Sequence, residues 1–164
     1  MAENYDKAWF CDQIIQMKQT MFHIAFLILG NETDCEDATS SALLTAYEKL
    51  SQLRNRELFR AWFIRILKNE CYLALRRRKR VIRLNEEMLL EYEMNVVDPD
   101  LRSAIMSLSN DYRLAIVLYY VEGYSIKEVA HILDVPSGTI KSRLSRARVQ
   151  LKGLLTDRED IHDK

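Results

Sequence analysis

The side chains best suited to chemistry in this chain are cations, amides and hydroxyls at helical spacing, and the chemistry they suit is polyanion binding. Arg65, Lys68, Asn69, Tyr72 and Arg76 recur three or four residues apart. At 100° per residue they fall within an arc of roughly 100° on one helix. Cations neutralise phosphates, an asparagine amide pairs with a base edge, and a tyrosine ring stacks on an unpaired base. A second set, Lys141, Ser142, Ser145, Arg146 and Val149, faces away from an apolar line of Ile140, Leu144, Ala147 and Leu151, with Arg143 and Arg148 flanking it. Catalysis has no comparable foothold: there is no glycine-rich phosphate loop, GxSxG elbow or HExxH motif. Cys11, Cys35 and Cys71 are odd in number, widely spaced and without a CxxC pair. They and His23 suggest no ligand set, so the expectation is small buried or half-buried thiols and no metal site.

The elements that must position these residues are helices. Four glycines and two prolines in 164 residues leave too little turn punctuation for a many-stranded sheet. An apolar stretch from Trp9 to Leu29 ends at Gly30-Asn31, a pair that stops helices. Thr33 and Glu36 read as a capping box for a second helix with an apolar side at Ala38, Ala42, Leu43, Ala46, Tyr47, Leu50 and Leu53. A polar loop, Ser51 to Arg56, leads to a third helix over Leu58 to Arg80. There Phe59, Trp62, Phe63, Ile66, Leu67, Leu73 and Ala74 oppose the cationic stripe, and Glu70 falls among them without an evident reason. Asp98-Pro99 restarts structure as N-cap and first helical residue. Gly123 closes a later helix, Ser125 to Glu128 form a second capping box, and Ser137 reads as the N-cap of the last helix. Two helices joined by the tight turn Asp134-Val135-Pro136, the second basic and outward-facing, fit a helix-turn-helix whose second member enters the major groove. The predicted fold is all-α: two small helical bundles joined by an acidic linker.

Zero net charge, 24 basic against 24 acidic side chains, hides a segregated one. Residues 54–83 carry 11 basic and 2 acidic side chains, residues 84–100 carry 6 acidic and none basic, and residues 137–152 carry 5 basic and none acidic. Two cationic patches separated by an acidic connector suit a protein that touches a polyanion at two places. No run approaches the roughly 18 to 20 apolar residues of a membrane span. The N-terminus has no secretory signal pattern, so the cytosol is the expected compartment.

On these residues the chain resembles a family. Tyr124 to Ala130 (YSIKEVA), followed by Val135 to Arg148 (VPSGTIKSRLSRAR), is similar to the second domain of bacterial extracytoplasmic-function sigma factors. Asp34-Cys35-Glu36-Asp37 resembles the acidic segment of that family. Phe59 to Phe63, through Lys68-Asn69 to Arg76-Arg77-Arg78, resembles its promoter-melting helix. The resemblance runs from about residue 8 to residue 155. It implies a region 2-like domain over 1–83, a linker over 84–100, a region 4-like domain over 101–155 and a flexible tail over 156–164.

The same resemblance implies partners and roles. The partners are core RNA polymerase, promoter DNA and an anti-sigma factor, with no cofactor or metal required, no membrane insertion and no enzymatic reaction. Asp34, Glu36 and Asp37 would meet the polymerase clamp. Arg65, Lys68, Asn69, Tyr72 and Arg76 would meet the minus-10 element, and Thr139, Lys141, Ser142, Arg143, Ser145 and Arg146 the minus-35 element. Two departures stand out. Ser40-Ser41 replace the usual glutamine and acid after Asp37, and Leu73 replaces an aspartate four residues after Asn69. A LuxR-like helix-turn-helix regulator would explain residues 101–155 but not the basic helix before them. A sigma-like interaction protein that does not initiate transcription would explain the two serines.

Overall fold

A computed structural model of the chain describes residues 2–78 and 98–162. Lys79 and Arg80 of the expected third helix, and residues 84–97 of the expected linker, lie outside them. The chain divides into two compact units, one up to Arg83 and one from Leu84 onward. The described residues are helical, with no strand among them.

The first unit packs three helices: α1 (Ala2–Leu29), α2 (Glu32–Glu48) and α3 (Phe59–Arg78). Gly30 ends α1 at φ +73°, a left-handed conformation a glycine adopts without Cβ strain. The start of α2 corrects the expected capping box. Asn31, not Thr33, is the N-cap, and its Oδ1 accepts from the Asp34 N–H at 2.9 Å. One amide so placed satisfies an orphan donor of the first turn and starts the helix at Glu32. α2 also ends earlier than its apolar pattern suggests, at Glu48. Leu50 and Leu53 belong instead to the connection to α3, which holds two short 3-10 turns, Leu50–Gln52 and Arg56–Leu58.

Inside this unit α2 presents Cys35, Ala38, Ala42 and Ala46. Small side chains along that seam let α3 come close. α3 fills the space with Phe59, Phe63, Ile64 and Leu67, all essentially inaccessible. Phe59 anchors an aromatic cluster, with edge-on contacts to Trp9 at 5.1 Å and Phe10 at 5.7 Å between ring centroids. Phe63 is buried and Trp62 half-buried, so neither ring is a free stacking platform. Glu70, unexplained by periodicity, accepts a hydrogen bond from Thr45 Oγ1 of α2 at 3.3 Å.

The second unit comprises α4 (Pro99–Ser107), α5 (Asn110–Ile116), a π-helical turn (Val117–Val121), α6 (Ile126–Leu133) and α7 (Ser137–His162). Asp98 caps α4 by accepting from the Asp100 N–H at 2.9 Å. Gly123, at φ +74°, turns the chain into the Ser125 capping box. There the Ser125 N–H donates to Glu128 Oε2 at 2.8 Å, and the Glu128 N–H to Ser125 Oγ at 3.3 Å. Asp134 adopts φ +58° in the turn between α6 and α7. The last cap differs from expectation. The Pro136 carbonyl accepts from Thr139 at 2.9 Å and Ile140 at 3.3 Å, so Ser137 is the first helical residue and not the cap. α7 also continues through His162, beyond the end expected at Leu155.

Candidate nucleic-acid interfaces

α7 is held by its apolar side. Ile140, Leu144 and Ala147 are buried against the rest of the unit, where Val129 and Ile132 of α6 are buried too. The opposite side shows Lys141, Ser142, Ser145 and Arg146 to solvent, and Thr139 is half-buried. Ser142 Oγ donates to the Gly138 carbonyl one turn back, at 3.1 Å, which leaves its oxygen lone pairs facing out. The flanking arginines are committed within the unit. Arg143 Nη2 lies 2.8 Å from Asp111 Oδ2, with its side chain only 19% exposed. Arg148 Nη1 donates to the Tyr120 hydroxyl at 3.0 Å. Arg143, expected among the DNA contacts, is thus turned toward α5, and the outward cations of the first turns are Lys141 and Arg146. Asp111 and Tyr120 escaped sequence reasoning because they stand 32 and 28 residues from their partners.

On α3 the structure narrows the expected stripe. Asn69 and Arg76 are exposed, and Arg65 and Tyr72 are half-buried. These four lie at steps of four, three and four residues, one continuous line along the helix. Lys68 does not join them, being only 8% exposed. It sits four residues after Ile64 and three before Cys71, both fully buried, and its stem shares their side of the helix. Lys68, expected as a phosphate contact, is thus buried and stands apart from the exposed line.

At the acidic start of α2, Glu36 and Asp37 are exposed. Asp34 is engaged internally. Its Oδ2 accepts from Asn31 Nδ2 at 2.7 Å and pairs with Arg78 Nη1 at 3.0 Å. Arg78 Nη1 also donates to the Leu29 carbonyl at 3.1 Å, tying the end of α3 to the α1–α2 junction. Asp34 is a joint of the bundle before it is a surface charge. Beside it a groove of about 320 Å³ is lined by Asp37, Ser41, Glu70, Leu73, Arg77 and Arg78, among others.

The expectation of buried thiols holds at two of the three cysteines. Cys35 and Cys71 are buried, and Cys11 is exposed. Burial, and then the neighbouring Asp34, pushes the Cys35 thiol up to about 12. Burial, and then Cys35 itself, does the same for Cys71. Both stay protonated and unreactive at neutral pH. Among the described residues no group of His, Cys, Asp and Glu could hold a metal ion. No described helix is long and apolar enough to cross a membrane.

Comparison with known proteins places both units in a family. Residues 14–81 match Sigma-70 region 2, and residues 99–151 match Sigma-70 region 4. The ECF RNA polymerase sigma factor SigW of Bacillus subtilis is 28% identical over 171 aligned positions, covering 93% of this chain and 91% of that protein. The ECF RNA polymerase sigma factor SigM of Mycobacterium tuberculosis is 32% identical, covering 88% of this chain and 76% of that one. Among solved structures, the sigma factor RpoE of Bartonella quintana, in complex with the anti-sigma factor NepR, superposes with a TM-score of 0.71 at 28% identity. That match covers 90% of this chain and 96% of the other. With both regions present in order and a relative 32% identical over 88% of the chain, the chain belongs to the extracytoplasmic-function (ECF) family of RNA polymerase sigma factors.

Proposed function

We propose that the chain binds core RNA polymerase and directs it to promoters through two separate surfaces. In this reading α7 enters the major groove of the minus-35 duplex, where Lys141, Ser142, Ser145 and Arg146 face base edges and backbone. α3 offers Arg65, Asn69, Tyr72 and Arg76 to minus-10 bases after the strands part. Residues 1–83 act as the region 2-like domain, 84–100 as linker and 101–155 as the region 4-like domain. Glu36 and Asp37 carry the clamp contact, since Asp34 is already paired. The chain contributes binding and no reaction of its own, requires no cofactor, and works in the cytoplasm. An anti-sigma factor is its natural inhibitor, by analogy with the Bartonella quintana protein held by NepR.

The observation that carries this reading is the outward face of α7, polar and cationic, in a helix-turn-helix whose first helix opens on a capping box. A guanidinium there can bond two acceptors of guanine, a contact worth roughly 1–3 kcal/mol of discrimination. Run-off transcription with core polymerase, on duplex and pre-melted templates, tests it. Arg146→Ala is expected to relax preference at one minus-35 base pair. Asn69→Ala is expected to leave that preference alone and to impair opening, a defect a pre-melted bubble relieves. A change of minus-10 preference by Arg146→Ala, or of minus-35 preference by Asn69→Ala, overturns the assignment. The exposed pair Ser40-Ser41 favours a second reading, a sigma-like protein that binds partners without initiating. Absence of any run-off product despite polymerase binding would select it.

A further inference from the structure

We propose that Val149 is a specificity-determining residue that reads the C5-methyl group of a thymine in the minus-35 duplex. The inference rests on α7 being the helix that enters the groove. With Arg146 set at zero, 100° steps place Gly138, Ser142, Ser145 and Val149 within an arc of about 60°. That arc lies opposite the buried Ile140, Leu144 and Ala147. It is therefore the midline of the outward face, with Lys141 on one flank and Arg146 on the other. The midline side chains are small, and space around Gly138 is open, with nothing within 4 Å of an added Cβ. A helix with so low a midline can bring its backbone close to the groove floor, while cations on both flanks reach outward to phosphates.

Val149 is the one apolar side chain on this part of the midline, and it is 71% exposed. It stands one turn beyond Ser145 and two beyond Ser142. An isopropyl group can neither donate nor accept a hydrogen bond, so phosphates and most base edges offer it nothing. The thymine methyl is the apolar feature of the major groove. A β-branched side chain in a helix holds essentially one χ1 rotamer, so the two methyls meet the groove in a fixed position. The flanking Arg148 is drawn to Tyr120, which keeps its guanidinium from competing for the same base edge.

Deoxyuridine isolates the contact because it removes only the methyl group. Duplexes with a randomised upstream element are selected by wild-type holoenzyme, and each selected thymine is then replaced singly by deoxyuridine. One replacement should lower wild-type affinity by about fourfold, the effect of one buried methyl-sized group. Val149→Ala should bind that site equally well with either base, and Val149→Ile should retain the wild-type difference. Alanine is the better helix former at an exposed position, so loss of fold does not confuse the result. Arg146→Ala is run beside it and should alter preference at a different base pair. If Arg146→Ala alters preference while Val149→Ala still discriminates thymine from deoxyuridine, the Val149 assignment falls and the reading of α7 stands. If neither variant alters any preference, α7 is not the reader and both fall. If Val149→Ala weakens association with core polymerase without changing base preference, the side chain is a protein contact and the inference is overturned.

Discussion

A cation adds to nucleic-acid affinity where its charge can reach a phosphate, and on α3 Arg76 is exposed while Lys68 is buried. Arg76 is exposed at the outer end of the stripe, and Lys68 is 8% exposed beside Ile64 and Cys71. Arg76→Ala should lower the slope of log affinity against log salt by about one unit. Lys68→Ala should leave that slope unchanged and instead destabilise the first unit by about 1–3 kcal/mol, since it removes a buried stem packed on the side of Ile64 and Cys71. Salt titration of promoter binding and thermal unfolding of the two variants check the contrast. The buried thiols add a pH dependence. In the folded chain Cys35 and Cys71 hold their protons up to about 12, against 9.0 for a solvated thiol. Above about pH 9 the unfolded chain releases these protons and the folded chain does not, so stability falls as pH rises from there. Urea unfolding between pH 7 and pH 10.5 should be flat at first and then decline, less steeply in a Cys35→Ala/Cys71→Ala double variant. At pH 8 a thiol reagent should label Cys11 rapidly and the buried pair only on unfolding.

At the scale of elements, the caps decide which substitutions matter. Asn31 and Ser125 accept hydrogen bonds from first-turn N–H groups, while Thr33 and Ser137 lie inside their helices. Asn31→Ala and Ser125→Ala should each cost about 1 kcal/mol. Thr33→Ala and Ser137→Ala should stay within about 0.5 kcal/mol, as substitutions away from such features do. Urea unfolding followed by helical circular dichroism checks the ranking. The connection between α2 and α3 is short and structured, with Arg56 lying 4.6 Å above the Trp9 ring centroid. That contact ties the loop to α1 and helps fix where α3 begins.

For the whole molecule, charge segregation matters more than the net value of zero. Each cationic surface is small, and part of its charge is spent within its own unit, at Asp34–Arg78 and Asp111–Arg143. A single small interface of this kind gives little specificity, and two joined ones gain only when both are held in register. The chain alone should therefore bind promoter duplex weakly and lose that binding steeply with salt. Adding core polymerase should sharpen it. Mobility-shift titrations at two salt concentrations, with and without polymerase, check this. Tight sequence-specific binding by the isolated chain would point instead to a stand-alone regulator.

What the sequence determined by itself is whatever depends on residues a few positions apart. Helical periodicity placed Ile140, Leu144 and Ala147 inside and Lys141, Ser142, Ser145 and Arg146 outside. The caps at Asp98 and Ser125 were legible because an i to i+2 or i+3 hydrogen bond needs only local dihedral angles. The same logic failed at Thr33 and Ser137, where competing local choices, Asn31 and the Pro136 carbonyl, close the first turn. Only the tertiary structure decided which charges remain available. Arg78 finds Asp34 and the Leu29 carbonyl, Arg143 finds Asp111, Glu70 finds Thr45, and Lys68 disappears beside Ile64 and Cys71. Those partners are separated by 25 to 49 residues where they are paired across elements. Long charged side chains sit at the borders of a helix face, where a wheel assigns them to either side. The packing of a neighbouring helix settles which atoms they reach.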